Sequence, residues 1–326
     1  MQQTRLGRSE LVVSTVAFGT WQLGGDWGPT DEAAAIAAIR RAADVGVTLF
    51  DTAQAYGFGM SERLLAKALD GRRDEVVIAT KGGLRPTDGG GVARDASPTS
   101  IRRGVEESLR ELGTEAIDLY QLHWPDPATP FEETAGALAG LVAEGKVRHV
   151  GVSNFDAEQM EAFSTFLPVE TLQPPYHLFH RNIEASILPY TKAHDIGVLV
   201  YGPLAHGLLG GGLREDTRFA PGDWRGTSAD FRGDAYRRNL AAVTDLGRLA
   251  GELGITLSQL AIAWTLTNPA VHVAIVGTRN PAHVDSAVAA ADVVLEPPVM
   301  ERIDEIMVGA QPIAGPAPEL MPEVGQ

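Results

Sequence analysis

Eight short apolar, β-rich runs recur along this chain, and helix-period stretches separate them. They lie at Thr15–Thr20, Val47–Phe50, Val76–Thr80, Ile117–Leu122, Val147–Val152, Val169–Tyr176, Val198–Tyr201 and Val273–Val276. Apolar runs of this length, closed by turn-forming residues, read as buried strands. Each connection is long enough for a right-handed crossover, so the pattern predicts a parallel α/β fold. Eight such units in roughly 300 residues favour a closed (β/α)8 TIM barrel over an open, doubly wound sheet. An open sheet with a dinucleotide site should carry G-x-G-x-x-G straight after its first strand. Here the first strand leads into Gly19-Thr20-Trp21-Gln22-Leu23-Gly24-Gly25, which does not match.

Local signals fill in the rest. Thr4 to Ser14 reads as a β-hairpin that plugs the N-terminal end of the barrel. Thr30 is expected to cap a helix ending at Gly46, Ser61 to start another, and Ser97-Pro98 to open a third that runs to Leu112. Further helices are expected at 131–144, 156–166, 183–194, 235–253, 258–267 and 281–290, with an extra one at 298–307. Residues 82–95 read as a long polar loop and 207–234 as an irregular segment. The end, Gly309 to Gln326, has four prolines, no Lys or Arg and no periodicity, and reads as a tail. The expected organisation is one barrel over residues 1–308 followed by an irregular tail over 309–326.

Composition narrows the function. With 44% hydrophobic residues, the chain can bury a sizeable core. It has no cysteine, which excludes a disulfide, a thiolate metal site and a Cys nucleophile. A net charge of −15 repels polyanions and no Lys/Arg block relieves it, so nucleic acid is not an expected partner. No apolar run approaches the 18 or so residues of a membrane span, and no secretory signal pattern opens the chain. A cytoplasmic location with no membrane partner is expected.

In a barrel, the active site sits at the C-terminal ends of the strands. Those positions carry Trp21, Asp51, Lys81, His123 with Trp124, Ser153 with Asn154, Gln173, Tyr201, and Thr278 with Arg279, while Tyr56 lies in the loop after Asp51. A structural ion pair would explain Asp51 and Lys81 alone, but not an acid, a base, amides and aromatics together. A phenol titrates near 10 on its own, and a neighbouring Lys81 ammonium held by Asp51 would favour its phenolate. With His123 on the substrate oxygen, the group could polarise a carbonyl and protonate the developing alkoxide. No side chain here carries a hydride, so reduction requires a cofactor. His177 and His180 are three apart with no third ligand nearby, so no metal is expected. Trp21, Phe58 and Trp124 are candidate substrate-pocket walls. Trp27 and Trp224 are left unassigned, and Gly89–Gly91 and Gly210–Gly212 read as loops rather than phosphate cradles.

The segments FDTAQAYG, ATKGG, DLYQLHWPD, GVSNF, LQPPY, YGPLAHGLL and IVGTRNPAHV resemble, in order and strand placement, the motifs of the aldo-keto reductase family. The resemblance spans nearly the whole chain. It implies NADPH-dependent reduction of an aldehyde or ketone, or the reverse oxidation, with Tyr56 as general acid/base assisted by Asp51, Lys81 and His123. It places Ser153, Asn154 and Gln173 on the nicotinamide carboxamide, Tyr201 against the ring, and Trp21 beside the cofactor. Residues 202–210, including Gly202, Pro203, Leu204, Gly207 and Leu208, would cover the pyrophosphate. Gly277, Thr278, Arg279 and His283 would meet the adenosine end, with Thr278 and Arg279 on the ribose 2′-phosphate. Gly202, His283 and Ala287 depart from the residues usual in relatives (Ser, Gln and Asn), which bears on the NADPH preference and leaves NADH as a weaker alternative. Two rivals are a slow, nucleotide-binding regulatory subunit, as in potassium-channel β subunits, and a barrel hydrolase using Asp51. The substrate and the choice between monomer and homo-oligomer are left open, because both depend on loops.

Overall fold

The computed structural model of the 326-residue chain describes residues 1–25, 27–88 and 91–315. In chain order, the first elements are β1 (Gln3–Arg5), β2 (Val12–Ser14), β3 (Val16–Gly19), α1 (Glu32–Asp44), β4 (Leu49–Asp51), α2 (Met60–Ala68) and β5 (Val77–Gly82). Next come β6 (Leu84–Pro86), β7 (Val92–Arg94), α3 (Pro98–Leu112), β8 (Ile117–Leu122), α4 (Phe131–Ala143), β9 (Val147–Ser153), α5 (Ala157–Ser164) and β10 (Thr171–Gln173). The last are α6 (Ile187–Ala193), β11 (Gly197–Tyr201), α7 (Gly233–Glu252), α8 (Leu257–Leu266), β12 (Val273–Gly277), α9 (Pro281–Ala289) and α10 (Pro297–Met307).

Strands β3, β4, β5, β8, β9, β10, β11 and β12 pair in that order, all parallel, and β12 returns to β3 to close a barrel. This is the expected (β/α)8 TIM barrel. Helices cover its outside, so the strands are apolar on both faces; every residue of β8 is buried. Inside, Ala17, Leu49, Ala79, Leu119, Leu199 and Val273 form a packed cluster with Leu6 of the hairpin. Leu6 is fully buried there, and the hairpin therefore plugs the barrel floor as anticipated.

Several local expectations are corrected. Asp31, not Thr30, caps α1, because its carboxylate accepts from the backbone of Ala33 and Ala34 while Thr30 faces Gln22. Helix α2 begins at Met60 behind Gly59, since the Ser61 hydroxyl is spent on the Thr20 carbonyl. Strand β10 is three residues long because Pro174 and Pro175 have no N–H to offer the ladder. The stretch 183–194 splits into a 3-10 turn and α6. The supposed loop 82–95 holds a ribbon, β6 paired antiparallel with β7, anchored by buried Leu84 and Val92. Gly89 and Gly90 lie outside the described residues, as does the tail from 316 to 326. Of the tail expected from residue 309, residues 311–313 are docked: Ile313 is fully buried and donates its N–H to the Phe179 carbonyl, and Gln311 pairs with Asn239.

Candidate active site

Strand ends bring the predicted residues to one mouth. Asp51 closes β4, Lys81 lies in β5, His123 follows β8, and Ser153, Gln173 and Tyr201 close β9, β10 and β11. The Lys81 ammonium donates to both Asp51 oxygens at 2.9 and 2.7 Å, to the Thr52 carbonyl at 2.8 Å and to the Tyr56 hydroxyl at 3.4 Å. Burial pushes the Asp51 carboxyl up and the Lys81 ammonium down, and their mutual attraction opposes both shifts. Gln173 adds a 2.8 Å hydrogen bond to Asp51. The His123 ring meets the Tyr56 ring edge-on at 5.8 Å. Burial, reinforced by the Lys81 charge, holds His123 well below its usual value, so its imidazole is neutral, and its buried Nδ1 has no hydrogen-bond partner among the described residues.

Tyr56 is held by its loop. Gly24 and Gly57 pass back to back: a Cβ on Gly24 would lie 2.6 Å from the Tyr56 carbonyl carbon, and one on Gly57 2.6 Å from the Gly24 carbonyl oxygen. Gly57 also has φ +66°, a region that favours glycine. Only two residues without side chains allow this approach.

The other half of the mouth is a hydrogen-bonded chain. Tyr201 donates to Asn154 Oδ1 at 2.9 Å, Asn154 Nδ2 donates to the His123 carbonyl and to Ser153 Oγ, and Ser153 Oγ donates to the Gln173 carbonyl. Asn154 sits at φ 62°, which asparagine tolerates, and this turns its amide across the strand end.

Asp51, Tyr56, His123, Ser153, Asn154, Gln173 and Tyr201 line one cavity of about 510 Å³, and Lys81 does not reach its wall. Trp21, Trp124, Gly202, Pro203, Leu204, Gly207, Gly277, Thr278, Arg279 and His283 line it too. Two predicted residues do not. Leu208 is fully buried in the core beneath α7 and α8, because its turn points it inward, and Phe58 sits in the Tyr56 loop at φ 42° away from the cavity wall. Ala287 likewise packs in the core.

The cavity also recruits residues that sequence reasoning left unassigned. Trp27 joins Trp21 on the wall, their rings meeting edge-on at 5.1 Å, and buried Trp224 stacks with Trp21 at 6.2 Å without lining the cavity. His206 packs edge-on against Trp224 at 5.0 Å. The Arg225 guanidinium lies 4.4 Å over Trp27, pairs with Asp223, and donates to the His206 carbonyl. Gly210 and Gly212, read as plain loop, line the cavity, as do Ala314 and Gly315 of the tail. Only the Trp-Arg pair inside a polar segment marked this region in the sequence. Arg279 donates through Nη1 to the carbonyls of Trp27 and Pro29.

The donor set suits a dinucleotide rather than a metal. The cavity carries an amide and hydroxyl chain and, beside the turn of residues 202–210, the guanidiniums of Arg225 and Arg279. Among the described residues, no group of three or more His, Asp or Glu is placed to hold a metal ion. His177 and His180 instead bridge each other backbone to backbone. No single described helix is long and apolar enough to cross a membrane.

Comparison with known proteins agrees with this geometry. The model of the aldo/keto reductase family matches residues 15–308. Aldo-keto reductase YhdN of Bacillus subtilis is 42% identical over 88% of this chain and 87% of its own. A probable voltage-gated potassium channel subunit beta of Arabidopsis thaliana is 34% identical over 94% of this chain and 97% of its own. Among solved structures, a glycerol dehydrogenase from Gluconobacter oxydans superposes with a TM-score of 0.87 at 38% identity, covering 97% of each chain. An aldo/keto reductase from Klebsiella pneumoniae, solved with NADP and acetate, has a TM-score of 0.73 at 31% identity, covering 97% of this chain and 98% of that one. By its barrel, its strand-end residues and these likenesses, the chain belongs to the aldo/keto reductase family.

Proposed function

We propose that this protein is an NADPH-dependent oxidoreductase that reversibly reduces an aldehyde or ketone to an alcohol, with Tyr56 as the proton donor. The observation that carries this reading is the contact from Lys81 to the Tyr56 hydroxyl, made by an ammonium already held by Asp51. When bound, the nicotinamide supplies the hydride from its C4. The protein's own work is to bind, orient and move a proton. Ser153, Asn154 and Gln173 offer an amide-binding edge, and Tyr201 offers a ring face. Thr278 and Arg279 meet the 2′-phosphate, while Arg225 and the backbone of residues 202–210 meet the pyrophosphate.

The carbonyl oxygen of the substrate accepts from the Tyr56 hydroxyl and from neutral His123. As negative charge grows on that oxygen, the Tyr56 proton crosses to it, and the adjacent Lys81 ammonium stabilises the phenolate left behind. In the oxidative direction the same phenolate takes the alcohol proton. Trp21 and Trp27 wall the substrate from water at the mouth of the cavity.

The reading is tested by following NADPH absorbance with a panel of aldehydes and ketones. Cofactor-dependent carbonyl reduction is expected. The likeness to a channel β subunit supports a second reading, in which the nucleotide binds but turns over slowly. Tight NADPH binding without reduction across the panel would favour it.

A further inference from the structure

Arg279 does more in this structure than present a charge. Its Nη1 donates to two backbone carbonyls, Trp27 at 3.2 Å and Pro29 at 3.0 Å, 252 and 250 residues away in sequence. A guanidinium has two N–H groups on that nitrogen, and both are used. The other edge of the fork, Nε and Nη2, makes no hydrogen bond among the described residues and forms part of a residue that lines the cavity. The segment it grips carries Trp27. That ring is 5.1 Å from Trp21, which is stacked with Tyr56 at 6.4 Å, and the Arg225 guanidinium lies 4.4 Å over it. The backbone of Trp27 also bridges to Asp223. Arg279 therefore stands at the base of a chain of contacts that ends at the proton donor.

We infer that Arg279 is a two-edged clamp. One edge fixes residues 27–29 and so the tryptophan wall of the substrate cavity, and the free edge takes the phosphate of the cofactor. The inference rests on the reductase reading for the second edge only; the first edge acts in the chain itself. Arg279 is thereby a positioning residue for the substrate as well as a cofactor ligand, and its loss disturbs the substrate side even with a cofactor that has no 2′-phosphate.

The test compares wild type with Arg279→Ala and Arg279→Lys. Hydrogen exchange of the peptide over residues 21–31 is measured in the free protein, and the KM for butanal is measured with saturating NADH. The clamp predicts exchange about tenfold faster in both variants, because the lysine ammonium ends one bond short of the position of Nη1 and cannot reach both carbonyls. It also predicts a butanal KM raised about tenfold in Arg279→Ala with NADH while the dissociation constant for NADH is unchanged. Exchange at the wild-type rate, with damage confined to NADPH affinity, would overturn the inference and leave Arg279 as a phosphate ligand alone. If wild type reduces no carbonyl, the reductase reading fails, and the exchange experiment still decides the clamp.

Discussion

Lys81 Nζ lies 2.7 and 2.9 Å from the two carboxylate oxygens of Asp51, and both side chains are buried. Such a pair is costly to break from one side, because the remaining charge stays buried and unpaired. Asp51→Asn is expected to destabilise the fold by about 3–5 kcal/mol, read as a shift in the urea unfolding midpoint. It should also abolish reduction, since Lys81 loses the partner that aims it at Tyr56.

Tyr56→Phe removes only a hydroxyl. Loss of a general acid costs about 10²–10⁴ in rate, so turnover should fall by that factor while NADPH binding, followed by fluorescence, stays at the wild-type value. Near-normal reduction by this variant would sink the proposed proton donor.

Gly24→Ala probes positioning without touching a reacting group. The added Cβ would stand 2.6 Å from the Tyr56 carbonyl carbon, so the Tyr56 loop must move. A displacement of about 1 Å can cost 10²-fold in kcat, and a loss of that order is expected with cofactor affinity unaltered. Unchanged kcat would mean that the loop absorbs the methyl group elsewhere.

Acid should weaken the fold through its buried imidazoles. His206 is pushed down from 6.5 to about 3, first by burial and then by the Arg225 charge. Below pH 6.5 the unfolded chain takes up a proton that the folded His206 refuses, so stability present above that pH is lost as pH falls toward the folded value. One such group contributes a slope of about 1.4 kcal/mol per pH unit. His206→Asn tolerates the residue's φ of 56° and removes this proton site. Its stability between pH 6 and 4, measured by denaturant titration, should fall less steeply than that of wild type. His123 and His177, also held low by burial, keep the remaining slope.

His149 works in the opposite sense. Its hydrogen bond to Glu170 raises its value above 6.5, so the stability it adds is fully present below that pH and is lost as pH rises through the folded value. His149→Gln should therefore lower stability at pH 5.5 more than at pH 8.5. Equal losses at both would show that the pair contributes no charge interaction.

The barrel and the cluster of polar residues at its strand ends were legible because each depends on short-range pattern. An apolar run buried on both faces announces a parallel strand, and the residue at its end inherits a place at the mouth from strand direction alone. Asp51, Lys81, His123, Ser153, Gln173 and Tyr201 were placed at the strand ends this way. Caps were read less well: Thr30 and Ser61 are plausible N-caps by type, but their hydroxyls face Gln22 and Thr20, partners that only packing supplies. Leu208 and Phe58 do not line the cavity for the same reason, because the side a loop residue faces is set by the turn around it.

What the sequence determined by itself, then, was the closed parallel barrel and the acid, lysine and imidazole at its strand ends, since backbone periodicity and chain direction are properties of neighbouring residues. The tertiary structure decided the rest of the cavity. Trp27, Trp224, Arg225 and His206 meet from separate irregular segments, and Arg279 grips Trp27 across 252 residues of chain. No local propensity encodes such meetings, because they exist only where the folded barrel brings its loops over one mouth.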